Sequence, residues 1–294
     1  MIYDVEFTDG CGLTIRADDR IGTDSWVSRV DGWFDGADIR ADEQDRMGDG
    51  AFPVTLWRKG RTLTLAGTRK FKSGEETVRF ARQLSAAFRS GTEGNGSLRV
   101  VDDTGDLRAL GLALDGRPKV AHDTVFNRVE YELPLIAPDP YLYGDPLLTQ
   151  AFVQGTGTGL IFPLFDDAAG NTTNVLEFGD EQPPPVTLVN AGNAVAYPVV
   201  TVTGDMRSGF VLTLSGDKDD AGPWRVAWQM DTRPQSPVLV DFSGSVTVDG
   251  VDQSWALTER GWGGVRPGGK VTLSITPIAA GSGSAILSLR PTYL

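Results

Sequence analysis

Few residues in this chain belong to the types that carry out chemistry. Its 294 residues include one cysteine, Cys11, and one histidine, His122. A structural zinc site needs about four Cys or His ligands, so such a site is excluded, and no intrachain disulfide can form. A Ser-His-Asp or Cys-His catalytic group could use only His122, which precedes a predicted strand and is more typical of a local hydrogen-bonding group. We therefore predict no catalytic residue, no metal site and no cofactor.

Carboxylates are densest in one segment near the N-terminus. Its aspartates follow one another at spacings of three and four residues: Asp31, Asp35, Asp38, Asp42, Asp45 and Asp49. A helix here would stack like charges on one face and contain several glycines, and both features destabilise helices. We interpret the segment as an acidic loop that flanks a short strand around 37–40. Such carboxylates could bind a metal or serve a glycosidase, but no pattern pairs a general acid with a nucleophile, and solvated surface is the simpler interpretation.

Two further stretches match ligand-binding loops only in part. Residues 264–270, Gly-Val-Arg-Pro-Gly-Gly-Lys, resemble a phosphate-binding loop, but Val271 stands where Ser or Thr would hold magnesium and a strand pattern follows. Asp217 and Asp219 begin like a calcium loop, yet Trp228 occupies the twelfth position, where a bidentate Glu belongs. We predict ordinary turns in both places.

Tryptophans are concentrated in the C-terminal region. Trp224 and Trp228 are an even number of residues apart, so on one strand they share a face. If that face is exposed, the two indoles form a candidate glycan-binding platform. If it is buried, they belong to the core, which is the more common place for tryptophan.

The charge balance limits the partners of the chain. There are 27 Lys and Arg against 39 Asp and Glu, a formal net charge of −12. This surface should repel phosphates and anionic membranes, so we expect neither specific nucleic acid binding nor membrane binding. No apolar run approaches the roughly 18 residues of a membrane span, and residues 1–7 do not read as a signal peptide. With one cysteine, the chain is expected to be assembled in a reducing cytoplasm.

Strand patterns dominate the first half of the chain. Residues 124–136 alternate between apolar and polar side chains, with Val125 on the apolar side, which predicts one long half-buried strand. Residues 52–58 and 61–65 flank a Lys-Gly pair and predict a hairpin, and 97–101 with 107–114 predict another.

One amphipathic helix is predicted among these strands. Ser73 and Glu76 form a capping box, and Gly91 is a candidate terminator. Apolar residues then recur at helical spacing on one face: Phe80, Ala81, Leu84, Ala87 and Phe88. We expect this helix to cover one face or edge of a sheet.

The C-terminal third contains only strand and turn patterns. Seven short strands are predicted at 199–202, 210–214, 225–229, 238–242, 246–248, 271–275 and 285–289. The pair Asp249-Gly250 is typical of a type I′ hairpin turn, and the regular spacing of turns suggests a β-sandwich. Proline clusters at 137–140 and 182–185 mark two joints in the chain.

The order of these motifs resembles the distal tail proteins of siphophages, called minor tail proteins in phages of actinobacteria. The segments that carry the resemblance are 35–40, 57–67, 73–88, 135–144, 189–193, 197–204, 266–270 and 290–294. The resemblance implies a mainly β protein with an N-terminal β-sandwich carrying one helix, residues 1–140. It also implies a C-terminal galectin-like, jelly-roll-type β-sandwich, residues 141–294, in which 141–187 includes a linker.

The same resemblance implies a structural role without catalysis. Members of the family form a homohexameric ring at the tail tip of the virion, and this ring joins the tail tube protein to the hub and tape-measure proteins and to receptor-binding proteins. DNA passes through such a ring without being bound specifically. We therefore expect the acidic segment to line part of the lumen, with Asp35, Asp38, Asp42, Asp45 and Asp49 as candidates.

Two alternatives to a ring subunit remain open on the sequence. One is a virion glycan-binding module that uses the C-terminal sandwich and Trp224 and Trp228. The other is a carbohydrate-active enzyme of the tail tip that uses the acidic loops.

Overall fold

The computed structural model describes residues 2–18, 24–42, 46–47, 49, 52, 55–88, 96–103, 105–153, 187–216, 223–279 and 281–294. The chain divides into two compact units. The first comprises Met1–Asp145 together with Thr292–Leu294, and the second comprises Pro146–Pro291. The first unit thus continues past the expected boundary at 140 and includes the last residues of the chain. The proline cluster at 182–185 lies outside the described residues.

Strands and one helix build the first unit. They are β1 (Ile2–Thr8), β2 (Thr14–Asp18), β3 (Ser25–Asp31), β4 (Ile39–Asp42), β5 (Thr55–Arg58), β6 (Arg61–Lys70), α1 (Gly74–Ser85), β7 (Gly96–Asp102), β8 (Gly105–Leu114), β9 (Lys119–Asp123), β10 (Arg128–Ala137) and β11 (Leu142–Tyr143), with the final strand of the chain, β23 (Thr292–Tyr293).

These strands, except β4 and β5, form one sheet in the order β2-β1-β7-β8-β10-β6-β3, with β9 beside β10 and β11 between β8 and β23. The link between its two halves is short, because β10 pairs with β8 only at Leu135 and Ile136. Along β10 every second residue from Val129 to Ala137 is buried, and these side chains share one apolar core with β1, β6, β7 and α1. The mainly β fold predicted from the sequence is confirmed.

The strand predicted over 124–136 begins later than expected. Residues 124–127 form a turn between β9 and β10, and Val125 is exposed. The carboxylate of Asp123 accepts hydrogen bonds from the backbone N–H groups of Val125 and Phe126, and Asn127 has a φ of 47°. A capped turn with a left-handed residue therefore interrupts an alternation that suggested a continuous strand.

The hairpin predicted around Lys59-Gly60 is wrong. β5 pairs with β4, whereas β6 pairs with β10 and β3. Gly60 has no positive φ, so the Lys-Gly pair does not form the primed turn of a tight hairpin. Instead Gly60 allows a close approach, because a Cβ there would lie 2.6 Å from the carbonyl oxygen of Ala137.

The predicted helix is present as α1, with Ser73 as its N-cap. The Ser73 hydroxyl accepts a hydrogen bond from Glu76 N, and the Glu76 carboxylate accepts one from Lys72 N. Phe80 and Leu84 are buried against the sheet, as the helical spacing predicted. Gly91 lies outside the described residues. Within the part of the chain that the structure describes, no helix has the length and apolar character needed to cross a bilayer.

We expect Ser73→Ala to lower the free energy of unfolding of the first unit by about 1 kcal/mol, because the N–H of Glu76 loses its acceptor. Ser85→Ala is the matched control, since Ser85 is in the last turn and its hydroxyl donates to Ala81 O. The control should change stability by less than about 0.5 kcal/mol. Urea unfolding followed by circular dichroism measures both, and equal effects would contradict the capping role.

Two antiparallel sheets form the second unit. Its strands are β12 (Leu147–Phe152), β13 (Leu188–Val189), β14 (Val199–Met206), β15 (Phe210–Gly216), β16 (Trp224–Trp228), β17 (Val238–Asp241), β18 (Ser245–Val248), β19 (Val251–Asp252), β20 (Leu257–Arg260), β21 (Lys270–Pro277) and β22 (Gly281–Leu289), with the short 3₁₀ helix η1 (Ser254–Ala256). One sheet has the order β12-β22-β14-β17-β18-β19 and the other β13-β21-β15-β16-β20. Their apolar side chains form one common core, which is the arrangement of a β-sandwich.

Local turn chemistry was predicted well in this unit. Asp249 and Gly250 connect β18 to β19 with φ values of 50° and 79°, the two positive angles that a type I′ turn needs. Residues 264–270 form a glycine-containing turn that leads into β21, as predicted, and not a phosphate-binding loop. Residues 217–222, which carry the calcium-like pattern, lie outside the described residues.

Candidate assembly surfaces

A two-stranded ribbon, which we call the arm, is made of β4 and β5. The register pairs Ile39 with Arg58 and Asp42 with Thr55, and Lys59 N donates to Asp38 O at 2.8 Å where the ribbon meets the rest of the unit. It forms a sheet of its own. Because an isolated two-stranded ribbon is marginally stable in water, we expect the arm to gain stability from packing against another surface.

Large apolar side chains on the arm are exposed. Leu56 and Trp57 are 62% and 60% exposed, and Ile39 is also exposed. Met47 and Phe52, in the connection between the two strands, are exposed as well. A concentration of apolar surface of this kind is typical of a protein–protein contact.

A buried arginine lies at the base of the arm. Arg61 begins β6, and its side chain is fully buried. Its Nη1 donates to the carbonyl oxygens of Gly32 at 3.1 Å and Trp33 at 2.8 Å, and its Nε donates to Pro140 O at 2.9 Å. Burial lowers the pKa of the Arg61 guanidinium. This residue therefore connects the segment after β3, which leads into the arm, with the segment after β10.

Sequence reasoning missed Arg61, although a signal was present. Arg61, Leu63 and Leu65 alternate along β6 and all three are buried. A strand period of two therefore places Arg61 on the core side. A charged residue in that position indicates a partner for its guanidinium, since buried charges are hydrogen-bonded or paired.

The predicted acidic residues that the structure describes lie in the arm, in the segment that leads into it and in the connection between its two strands. Asp35, Asp38 and Asp49 are exposed. Asp42 is the last residue of β4, and Asp45 lies outside the described residues. The described residues contain no group of three or more His, Cys, Asp or Glu side chains that could hold a metal ion.

An ion-pair network crosses the outward face of the sheet in the first unit. Lys119 Nζ lies 2.7 Å from Glu132 Oε1, and Arg29 Nη2 lies 3.2 Å from Glu132 Oε2. The hydrogen bond from Lys119 lowers the pKa of the Glu132 carboxyl. His122 is exposed on β9, where it pairs with Val129. Exposed pairs of this kind contribute about 0–1 kcal/mol each, so the network is a solvated surface feature.

Trp224 and Trp228 lie on one face of β16, as the even spacing predicted, and that face is buried. They are 9% and 2% exposed, so they belong to the core, which was one of the two open alternatives. Trp224 lies over Gly263, and Trp228 stacks with Phe210 at a centroid distance of 6.5 Å. Trp255 is the exposed tryptophan of this unit, at 69%.

A cleft of about 480 Å³, which we call the Trp228 cleft, lies within the second unit. The residues that line it are Trp228, Met230, Asp231, Thr232, Arg233, Ser236, Val238, Val248 and Gln253. Its walls combine four apolar side chains with five polar or charged ones.

Neither a protein-family model nor a curated protein matches this chain. Among solved structures it is similar to the Dit protein of phage SPP1, described as a paradigm of the hub adsorption apparatus in phages that infect Gram-positive bacteria. The match has a TM-score of 0.57 at 14% identity and covers 92% of this chain and 94% of that chain. A chain of the phage P2 baseplate, in its activated conformation with calcium, matches with a TM-score of 0.52 at 9% identity over 99% of this chain and 98% of that chain.

The chain therefore has the fold found in phage Dit and baseplate proteins. The match extends over nearly the whole of both chains, so it includes both units. The resemblance to distal tail proteins, which the order of the sequence motifs suggested, is confirmed in the fold.

Proposed function

We propose that this protein is a structural subunit of a phage tail tip. In this role it forms a homohexameric ring that joins the tail tube to the baseplate hub and its tape-measure and receptor-binding proteins. The observation that carries the proposal is the likeness to a Dit protein over more than nine-tenths of both chains. The protein acts without catalysis, is part of the virion, and is assembled in the host cytoplasm.

The arm is the proposed contact between neighbouring copies in the ring. A cyclic ring uses a heterologous contact, in which one patch of each copy meets a different patch of the next. The arm suits this role because Leu56 and Trp57 are exposed in a ribbon that needs a partner surface. Its anchor, Arg61, holds the base of the arm in place.

The acidic segment is the proposed lining of part of the lumen. DNA that passes through a ring must not be retained, and each phosphate neutralised by Lys or Arg adds salt-sensitive affinity. Asp35 and Asp38 are exposed in the segment that leads into the arm, and Asp49 is exposed in the connection between its two strands. We extend the proposal to Asp42 and Asp45.

We expect the purified protein to form six-subunit particles that appear as rings in electron micrographs. Trp57→Ala should weaken each contact by about 2 kcal/mol, which is roughly a thirtyfold loss in association constant for each contact. The matched control is Trp255→Ala, which removes an exposed indole from the second unit. Native mass spectrometry should show smaller species for Trp57→Ala at concentrations where the control and the natural chain remain hexameric.

The assembly state and a reconstruction of the ring test different parts of the proposal. A chain that stays monomeric at every concentration, and with the tail tube protein added, contradicts the ring. A hexamer that is insensitive to Trp57→Ala contradicts the arm contact alone. In a reconstructed ring, clustered Lys and Arg on the inner wall would overturn the electrostatic argument, and an acidic wall without residues 31–49 would overturn only the assignment of that segment.

A further inference from the structure

We propose that the turn between β9 and β10, residues 124–127, receives the arm of a second copy of this chain. This inference rests on the proposed ring, and it names the surface that the arm meets on the neighbouring copy. A heterologous contact joins two different patches, so a subunit that offers its arm on one side must carry a receiving patch elsewhere. The surface of the first unit points to the β9–β10 turn as that patch.

Exposed large apolar side chains of the first unit occur in three places in the part of the chain that the structure describes. One is the β9–β10 turn, where Val125 and Phe126 are 79% and 69% exposed. Another is Trp26 on β3, which is only 36% exposed and has the Lys70 ammonium 5.5 Å from its ring centroid. The remainder lie in the arm, its connection and the segment that leads into it: Phe34, Ile39, Met47, Phe52, Leu56 and Trp57. Because Trp26 is already partly covered, the turn is the open apolar patch that is left for the arm.

The arm and the turn lie at opposite ends of β6. The arm leads into Arg61, the first residue of that strand. At the other end Lys70 pairs with Arg128, and Phe71 N donates to Asn127 O in the turn at 2.9 Å. The ten residues of β6 therefore separate the two patches by roughly 30 Å. Two separate patches at opposite ends of one strand are what a head-to-tail contact between copies requires.

The turn holds its two apolar residues in a defined conformation. The Asp123 carboxylate accepts hydrogen bonds from the backbone N–H groups of Val125 at 2.9 Å and Phe126 at 3.1 Å, and it pairs with Arg128 at 3.5 Å. Asn127 completes the turn with a φ of 47°. These bonds use only the backbone of Val125 and Phe126, so a partner can cover both side chains without breaking a hydrogen bond. A preorganised patch also loses little conformational entropy when a partner binds.

The two patches match in chemistry. The arm offers Leu56 and Trp57, and the turn offers Val125 and Phe126, so each side combines one aliphatic with one aromatic residue. Aromatic side chains bury about 150–250 Å² each and favour offset or edge-to-face pairs, which suits Trp57 and Phe126. The contact would also cover a two-stranded ribbon that is marginally stable when exposed.

Charge permits the same pairing. Residues 31–49, which contain β4 and the segment that leads into it, carry seven Asp or Glu against two Arg. Residues 69–79 and 123–130, which meet at the turn, carry five Lys or Arg against four Asp or Glu. Lys70 and Lys72 are both exposed there. An acidic arm therefore meets a nearly balanced surface at the turn, whereas two acidic surfaces would repel each other.

Phe126→Asp in the full chain tests the receiving patch. We expect a loss of about thirtyfold or more in the association constant of each contact, because an aromatic ring is lost and a carboxylate enters an apolar contact. Native mass spectrometry should show smaller species at concentrations where the natural chain is hexameric. Trp255→Asp is the matched control, since Trp255 is exposed to the same extent, 69%, and lies in the second unit.

Crosslinking tests whether the arm is the partner of the turn. Leu56→Cys and Val125→Cys are made separately in a Cys11→Ser background, which removes an exposed natural thiol and leaves Trp57 and Phe126 in place. After the two variants are mixed and allowed to exchange subunits, a short bismaleimide should join one chain of each kind. Neither variant alone should give a crosslinked pair.

Two results would overturn this inference and leave the ring intact. One is a hexamer that is insensitive to Phe126→Asp, and the other is a mixed hexamer in which the Leu56→Cys and Val125→Cys chains are not crosslinked. The crosslink keeps Phe126, so it decides the question even if Phe126→Asp fails to fold. A natural chain that forms no ring, with the tail tube protein added, contradicts the ring and this inference together.

Discussion

Arg61→Ala is expected to lower the free energy of unfolding of the first unit by about 3–5 kcal/mol, the largest loss from any single substitution considered for that unit. The substitution removes the donors for three carbonyl oxygens, those of Gly32, Trp33 and Pro140. Each buried acceptor left without a partner costs about 1–3 kcal/mol. The space vacated by a fully buried arginine adds to this loss.

One further variant separates the hydrogen bonds of Arg61 from its charge, and a second serves as the control. Arg61→Lys keeps the charge but lacks the planar fork that reaches several carbonyls, so we expect an intermediate loss. Arg79→Ala removes an exposed arginine of α1 that pairs with Glu75, and it should cost less than about 0.5 kcal/mol. Hydrogen exchange measured by mass spectrometry on peptides of β10 reports the first unit, and peptides of β14 report the second. Equal losses for Arg61→Ala and Arg79→Ala would refute the anchoring role.

The same substitution should also affect assembly. Because Arg61 holds residues 32–33 in the segment that leads into the arm, its loss should weaken the proposed ring contact even at temperatures where the first unit stays folded. Native mass spectrometry on Arg61→Lys tests this consequence with the milder variant.

Asn190→Ala is expected to destabilise the second unit by about 2–4 kcal/mol. Asn190 is fully buried, and its Nδ2 donates to Ala194 O at 2.8 Å and to Val265 O at 2.9 Å. Its Oδ1 accepts a hydrogen bond from Gly192 N at 3.0 Å. One side chain therefore satisfies backbone groups of its own loop and of the turn before β21, and alanine leaves them without partners.

Asn190→Asp is the informative companion variant. It has the same size but replaces the amide donors with carboxylate oxygens that face carbonyl oxygens, so the loss should persist although no cavity forms. Gln235→Ala, an exposed position of the same unit, should stay within about 0.5 kcal/mol of the natural chain. Exchange of the β14 peptides in the full chain gives the measurement. If Asn190→Asp were as stable as the natural chain, the amide donors would not contribute to stability.

Neither anchor was predicted, but local sequence did predict several other elements of the fold. Seven strands of the second unit, the capped helix after Ser73 and the turn at Asp249-Gly250 were predicted because their signals come from neighbouring residues. The short strands β13, β19 and β20 were not predicted. Alternation along a strand gave the buried face of β10 for the same reason. The order of such motifs was also enough to suggest the family whose fold the chain shares.

The tertiary structure decided which segments pair. The Lys59-Gly60 pair predicted a hairpin, but β6 runs for ten residues beside β10, and this pairing buries Leu63 and Leu65. Long-range burial of this kind outweighs a weak turn signal, and β5 was left to pair with β4. The last strand, β23, likewise pairs with β11 in the first unit, although it follows the second unit along the chain.

The sequence by itself determined a mainly β chain with one capped helix and a strong negative charge. It also determined that Trp224 and Trp228 share a face, because side chains alternate along a strand. Only the tertiary structure decided that this face is buried, that Trp255 is the exposed indole of the second unit, and that Leu56 and Trp57 are exposed on the arm. Exposure depends on what packs against a face, and that is set by contacts between residues far apart in the chain, which local patterns do not encode.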